Sequence, residues 1–536
     1  MNSDSRWKRF LQTHYRSDEM GLELDISRMS FPSDLFDQTE VADVIQRMSA
    51  ALARMDELEQ GSVANPTEGR QVGHYWLRTP ELAPDPAVAA DVIETVERIK
   101  AFASAVHRGA RTAVPGRPFR KLLLIGIGGS ALGPQVIADC LAYSGQPIEP
   151  YFLDNTDPAG IHRVLSELTG SLAETLVIVA SKSGRTTETL NGMIEARVYF
   201  GRAGLDFNRH AVAITEPGSQ LWRLAETERW QDCFPVWQWV GGRTSLFSSV
   251  GILPAALMGF DIEALVAGGR QMDAATRNSD PRRNPAALLA MMWHVAGEGL
   301  GQRDMVILPY CDRLQLLPRY LQQLVMESLG KEKNLDGESV FQGIVVYGNK
   351  GSTDQHSYIQ QLRQGPKNYF ATFVEVLNDG DPHPIDIRPG ITTGDFLNSF
   401  LQGTRRALTE STRDSLTLTL EQVDAATLGR VVALYDRAVG LYAYMINVNA
   451  YDQPGVEAGK LAAERVIDLQ TRVVEALRGA AEPVTAAELA MRMSVDDSAD
   501  GVEGVYHVLR RLAQNASRGV RRIAGPAPDE DRFKAV

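Results

Sequence analysis

The hydrophobic pattern of this chain changes character twice. Up to about residue 115, apolar positions recur at helical spacing over Val41–Leu58 and Val88–Val106, which predicts helices joined by loops. Gly109–Pro118, rich in Gly, Pro and Arg, reads as the start of a new domain. From Lys121 onward the apolar runs become short and continuous: Lys121–Ile127 (KLLLIGI), Pro150–Leu153, Leu176–Ala180 and Ala211–Ile214. Such runs are the mark of strands buried on both faces. Helical patterns at Gly133–Ala142 and Glu188–Tyr199 lie between some of them, and this alternation predicts a doubly wound parallel sheet. A second set follows, with strands at Met305–Leu308, Gly343–Tyr347 and Ala371–Leu377 and a helix over Leu314–Ser328. The chain then turns helical again, near Leu428–Met445 and Ala458–Leu477. After a break at Glu482–Pro483, Thr485-x-x-Glu488 has the form of a capping box opening another helix, and Gly525–Val536 reads as a loose tail. The expected architecture is α/β: two doubly wound parallel sheets in series with helical N-terminal and C-terminal extensions. The expected division is 1–115, mainly helical; 116–290, first sheet domain; 291–455, second sheet domain; 456–536, helical region and tail.

Composition narrows the class of protein. At 536 residues, 44% hydrophobic and 23% charged, the chain is an ordinary globular sequence, neither disordered nor collagenous. With 67 acidic against 55 basic residues its net charge is −12. That argues against nucleic acid as a main partner, because phosphate backbones are bound by Lys and Arg, but it leaves room for a locally basic pocket. Cys140, Cys233 and Cys311 are far apart and lack metal-ligand spacing, so they read as free or buried thiols, with no metal site and no disulfide scaffold. The polar start has no apolar signal core, and the most apolar stretch, Gly251–Phe260, is too short to span a bilayer. The expectation is a cytoplasmic protein with no membrane partner.

Three loops carry candidate chemistry. Gly126-Ile127-Gly128-Gly129-Ser130-Ala131 follows a buried strand and opens a helix, where glycines admit close backbone approach and free N–H groups favour an anion. It also satisfies the loose dinucleotide pattern G-x-G-x-x-A, with Asp154 after the next strand. The second loop, Ser181-Lys182-Ser183-Gly184-Arg185-Thr186-Thr187, joins several hydroxyls, a glycine and a cation at a helix start. A helix cap needs one hydroxyl; this loop has more than that, and reads as a phosphate cradle. The third, Gly241-Gly242-Arg243-Thr244-Ser245, is by itself equally well a surface turn.

Taken in order, GIGGSALGP (126–134), SKSGRTTET (181–189), GGRTSLFSSVG (241–251), MESLGK (326–331), GSTDQHS (351–357) and QPGVEAGK (453–460) resemble the phosphoglucose isomerase family, the glucose-6-phosphate isomerases. The resemblance is good over about 115–465 and looser outside. It implies two sugar isomerase (SIS) domains, a cytoplasmic homodimer, no cofactor, and interconversion of glucose 6-phosphate and fructose 6-phosphate. It implies that Gly129, Ser130, Ser181, Lys182, Ser183 and Thr186 hold the phosphate, and that Gln323 and Gln453 contact the sugar. It implies that Glu327 is the base, Arg243 the cation beside the reacting carbons, and His356 and Lys460 the ring-opening pair, with His356 reaching into the neighbouring subunit's site. Arg185, Leu329 and Pro454 depart from residues common in the family at those positions. Basic residues Arg510, Arg511, Arg518, Arg521 and Arg522 imitate a small nucleic-acid module, but a helical extension packing on the dimer suits the acidic whole better.

These residue types suit that chemistry independently of the family. Moving a carbonyl from carbon 1 to carbon 2 needs one base that takes a proton and returns it next door, and a shielded carboxylate does this. The enediolate needs a fixed cation, and guanidinium stays charged in a dry site. Ring opening needs a group that exchanges protons near neutral pH, as imidazole does. Two other classes of function compete. A non-catalytic sugar-phosphate-binding SIS protein would have no use for Glu327, Arg243, His356 and Lys460 together. A nicotinamide-dependent oxidoreductase is suggested only by the first glycine loop and is opposed by the hydroxyl-rich second one.

Overall fold

A computed structural model describes residues 3–31, 39–495 and 501–536. It divides into two compact units, Met1–Asp452 and Gln453–Val536.

The first unit holds both sheets. The first sheet is all parallel, in the order Glu149–Leu153, Lys121–Ile125, Thr175–Ala180, Ala211–Thr215, Asp232–Pro235. Two of its three inner strands, Thr175–Ala180 and Ala211–Thr215, are buried at every position, as their unbroken apolar sequences require. Numbered along the chain this order is 2-1-3-4-5. The chain therefore leaves Lys121–Ile125 toward one edge and Thr175–Ala180 toward the other, and a crevice opens between the carboxyl ends of those two strands. The first two loops singled out above are the ones that leave these strands.

The second sheet repeats the device. Val346–Tyr347, Asp304–Pro309, Tyr369–Val376 and Ser415–Leu420 run parallel in the order 2-1-3-4. Its outer edge departs from the expectation of a purely parallel sheet. The hairpin His14–Ser17/Leu22–Arg28 pairs antiparallel against Ser415–Leu420, so part of the mainly helical N-terminal region is strand. The period-two alternation Leu22-Glu23-Leu24-Asp25-Ile26 carries it, with Leu22, Leu24 and Ile26 fully buried. The run at Gly343–Tyr347 is shorter than expected, with only Val346–Tyr347 paired. The helix Leu317–Leu321 continues into a π-helical turn, Gln322–Glu327.

Between the sheets the helix Ala425–Met445 is buried on nearly all sides. It carries Asp436 and Arg437, two members of a buried ionic cluster. Arg78 donates to Asp273 (2.6 and 2.9 Å) and to Asp436 (2.9 Å); Arg437 donates to Asp273 (2.9 Å) and to Glu59, which Arg277 also clasps at 2.9 Å. Burial alone would raise the Asp273 carboxyl, but Arg78 and Arg437 hold it below the usual range.

In the second unit the long helix Pro454–Arg478 is followed by Ala486–Arg492, whose Thr485/Glu488 capping box is formed, and by Gly501–Gln514. The expected loose tail is instead one arm of a hairpin, Val520–Ile523 against Arg532–Ala535. Phe533 is fully buried with Leu477, Leu489, Leu509 and Leu512, and Asp531 is clasped by Arg522 at 2.7 Å. Buried Phe533 alternating with outward Arg532 and Lys534 supplies the strand period that the Gly- and Pro-rich start of this segment obscures.

Cutting one member from the ionic cluster strands the others. Asp273→Asn should lower the free energy of unfolding by about 3–5 kcal/mol, read as a falling urea midpoint, because Arg78 and Arg437 are then left buried and underpaired. A midpoint within experimental error of the parent would refute the structural role of the cluster.

Candidate active site

The site is built at the carboxyl ends of the first sheet. The strand Lys121–Ile125 runs into Gly126–Gly128, and the helix Gly129–Leu141 starts at once. Gly128 has a positive φ of 58°, and a Cβ there would lie 3.1 Å from the Gln323 amide nitrogen. At Gly129 a Cβ would fall 1.9 Å from the carbonyl oxygen of Gly242, so any side chain would separate the first loop from the third. Ser130 is half-buried in the first turn of the helix.

The second loop is folded on itself. Ser181 Oγ donates to Thr186 Oγ1 at 2.9 Å, and the Gly184 N–H donates to the Ser181 carbonyl at 3.1 Å. Thr186 is the N-cap of the helix Thr187–Arg202, yet its hydroxyl does not cap it. The first N–H groups of that helix are thus left without a side-chain cap beside exposed Ser183, the arrangement that favours an anion. Lys182 donates to the carbonyls of Gln238 (2.9 Å) and Val240 (2.6 Å), which ties this loop to the third. Burial pushes the Lys182 ammonium down to about 8. Arg185 is exposed, and its backbone N–H, rather than its guanidinium, meets the loop, donating to Ser183 Oγ at 3.3 Å.

The third loop delivers a buried cation. Arg243 lies on the short turn Gly242–Thr244 and is 5% exposed. Its Nε donates to Ser328 Oγ (2.8 Å), and its Nη2 donates to the carbonyls of Ala450 (2.7 Å) and Asp452 (2.8 Å). Its Nη1 lies 3.0 Å from Glu327 Oε1. Burial lowers the guanidinium, and Glu327 and Asp452 act in the opposite direction. Glu327 Oε2 accepts from Gln323 Nε2 at 2.9 Å. One carboxylate is therefore gripped on both oxygens, with its side chain only 21% exposed. Gln323 and Glu327 both lie on the π-helical turn, a feature that recurs at functional sites.

Of the residues singled out from sequence, the fold brings Gly129, Arg243, Gln323 and Glu327 into one contiguous group, with Lys182 joined to it through the third loop. Ser181, Ser183 and Thr186 stand on the loop flanking the same crevice as Ser130. His356 is exposed at the end of the turn Thr353–His356. That turn is fixed by Asp354, which accepts from Asn349 N at 3.1 Å and from the Tyr358 hydroxyl. Gln453 and Lys460 belong to the second unit, where Gln453 precedes the helix Pro454–Arg478 and Lys460 is exposed on it. Sequence reasoning assigned no role to Ser328 or Lys331. Lys331 is 7% exposed and donates to the backbone carbonyls of Glu327 (2.7 Å) and Asp452 (3.1 Å), while burial pushes its ammonium down to about 8.

Comparisons with known proteins place the whole chain in one family. The profile of the family Phosphoglucose isomerase matches residues 33–409 and 405–477. Glucose-6-phosphate isomerase from Geobacter sulfurreducens is 53% identical over 537 residues, covering 100% of both chains. The enzyme of that name from Trichormus variabilis is 51% identical over 520 residues, 97% of each. A crystal structure of a glucose-6-phosphate isomerase from Chlamydia trachomatis shares the fold with a TM-score of 0.78 at 24% identity, covering 88% of this chain and 92% of that one. The α/β fold and relatives of this identity over the whole chain make it an aldose–ketose isomerase. The chain belongs to the phosphoglucose isomerase family.

If Lys182 acts as a cation toward substrate, kcat/KM should fall as pH rises through about 8, where its ammonium loses its proton. In Lys182→Arg, whose charge persists, the alkaline fall should move to higher pH. A pH–rate profile with an unmoved alkaline limb would remove Lys182 from that role.

Proposed function

We infer that this chain interconverts glucose 6-phosphate and fructose 6-phosphate as an aldose–ketose isomerase. The observation that carries the mechanism is the Glu327 carboxylate held between Arg243 at 3.0 Å and Gln323 at 2.9 Å in a largely enclosed site. The substrate's phosphate sits against Ser130, Ser181, Lys182, Ser183 and Thr186 and the start of the helix Thr187–Arg202. Charge on the helix dipole and on Lys182 favours it there. In the open-chain aldose, Glu327 takes the proton from carbon 2. The electron pair moves into a carbon 1–carbon 2 double bond, and the carbonyl oxygen gains negative charge. Arg243 faces that oxygen with a charge that needs no reorganisation. Returning the proton to carbon 1, with the hydroxyl proton passing between the two oxygens, gives the ketose. Atoms and electrons balance within the one substrate, so the step calls for no redox partner and no cofactor.

Ring opening comes first and falls to His356 and Lys460, with Gln453 orienting the sugar. The exposure of His356 supports a role in a neighbouring subunit, and the protein is read as a cytoplasmic homodimer. No helix among the described residues is long and apolar enough to cross a membrane. A non-catalytic sugar-phosphate binder is the weaker reading, since it gives the enclosed Arg243–Glu327 pair nothing to do.

Glu327→Gln should lower kcat by about 100-fold or more with KM little changed. In deuterated water, NMR should show loss of label exchange between carbon 1 and carbon 2; normal turnover would reject Glu327 as the base. Shared sites can be tested by refolding Glu327→Gln together with His356→Ala. Mixed dimers then contain one intact site each, and activity on the cyclic sugar should recover to about a quarter of the parent's. No recovery would place His356 in its own subunit's site.

A further inference from the structure

A basic cavity lies at the other end of the second sheet. Arg28 is the last residue of the strand Leu22–Arg28 and pairs with Ser415, the first residue of the strand Ser415–Leu420. The place is therefore the amino end of the parallel strands, away from the carboxyl ends where the catalytic loops leave. The cavity is about 680 Å³, and Arg6, Arg9, Arg28, Arg405 and Arg413 line it against a single lining carboxylate, Asp414. That carboxylate is already engaged, accepting from the Ser30 N–H at 2.7 Å and from Arg303.

The cations are unequal in what they lack. Arg9 is saturated by the carbonyls of Ser27, Met29 and Phe31. Arg413 is 7% exposed and donates through Nη2 to the carbonyls of Arg363 (3.0 Å) and Gly365 (2.6 Å), but its Nε and Nη1 are buried with no acceptor. Arg405 pairs with Asp25, while its Nε is likewise buried and without an acceptor. Arg28 is half-buried, and burial together with the charges of Arg405 and Arg6 lowers its guanidinium despite nearby Asp25. Cations gathered against each other around one engaged carboxylate are costly, and an anion with several oxygens entering the cavity relieves that cost.

The wall beside these cations is aromatic. Trp7 is 60% exposed, an unusual state for so large an apolar ring, and stacks on Phe10 with centroids 5.3 Å apart and planes 15° apart. Phe31 is covered by Arg9 at 4.3 Å. An indole open on one face next to a cluster of guanidinium groups suits a ligand with a flat ring at one end and phosphates at the other. We propose that this cavity is a binding site for a nucleoside polyphosphate, separate from the sugar-phosphate site. Its phosphates lie among Arg28, Arg405 and Arg413, and its base stacks on Trp7. The volume lies within the range of small-molecule sites.

The test is calorimetric titration of the full chain with ATP, and separately with inorganic pyrophosphate, in saturating fructose 6-phosphate so that the catalytic cradle is occupied. ATP should bind one to one under these conditions. The double variant Arg6→Ala/Arg28→Ala should weaken ATP by about 10-fold or more, because charge-assisted contacts are lost, while isomerase activity stays at the parent level. Trp7→Ala, a change at an exposed ring, should weaken ATP but leave pyrophosphate unchanged. Absence of saturable ATP binding, displacement of ATP by fructose 6-phosphate, undiminished binding in the double variant, or pyrophosphate binding as tightly as ATP would each overturn the proposal.

Discussion

Arg243 is the constraint around which the site is organised. A guanidinium that far from water must have acceptors for its N–H groups, and this one finds them on two separate stretches of chain: Glu327 and Ser328, and Ala450 and Asp452. The turn that carries it trails the first sheet. Glu327 and Ser328 stand on the helix after the first parallel strand of the second sheet. Satisfying one cation thus brings chemistry from both sheets to one point. Lys331 ties the same pieces again from the other side, through the carbonyls of Glu327 and Asp452. The carboxylate proposed to move the proton is held by the electrostatic needs of its surroundings, with Gln323 fixing its second oxygen.

The two sheets explain why the ligand loops lie where they do. Each reverses its winding between its first and third strands, and the first sheet's reversal sets the glycine loop beside the hydroxyl loop. The Gly129–Gly242 approach then brings the arginine turn against them at backbone distance. Any side chain at Gly129 would collide with the Gly242 carbonyl, which is why a glycine stands there.

Much of this was legible in the sequence, and the reasons differ by element. Strands buried on both faces announce themselves as unbroken apolar runs, so Lys121–Ile125, Thr175–Ala180 and Tyr369–Val376 were readable, as were the loops that follow the first two. The hairpin at 14–28 was passed over because its period-two alternation is brief and embedded among charges. The C-terminal hairpin was hidden by Gly525, Pro526 and Pro528, which look like a tail until Phe533 is seen to be buried. The π-helical turn had no signal, since nothing in Gln322–Glu327 distinguishes it from ordinary helix. The buried cluster of Arg78, Asp273, Asp436 and Arg437 was equally silent, because partners up to 358 residues apart have no local pattern. The functional residues were legible mainly as an ordered set of motifs. Taken singly, Glu327, His356 and Lys460 are commonplace polar residues.

The edge hairpin also bears on how this chain comes into being. Its residues leave the ribosome long before the strand they pair with: Ser30 and Asp414, joined by a hydrogen bond, are 384 residues apart. At ordinary translation speeds that interval is about 20–80 s. Throughout it Leu22, Leu24 and Ile26 have no finished sheet to enter. The nascent polypeptide therefore carries an unclosed, sticky border throughout that interval, and the early helices or a chaperone must shelter it until the last parallel strand arrives.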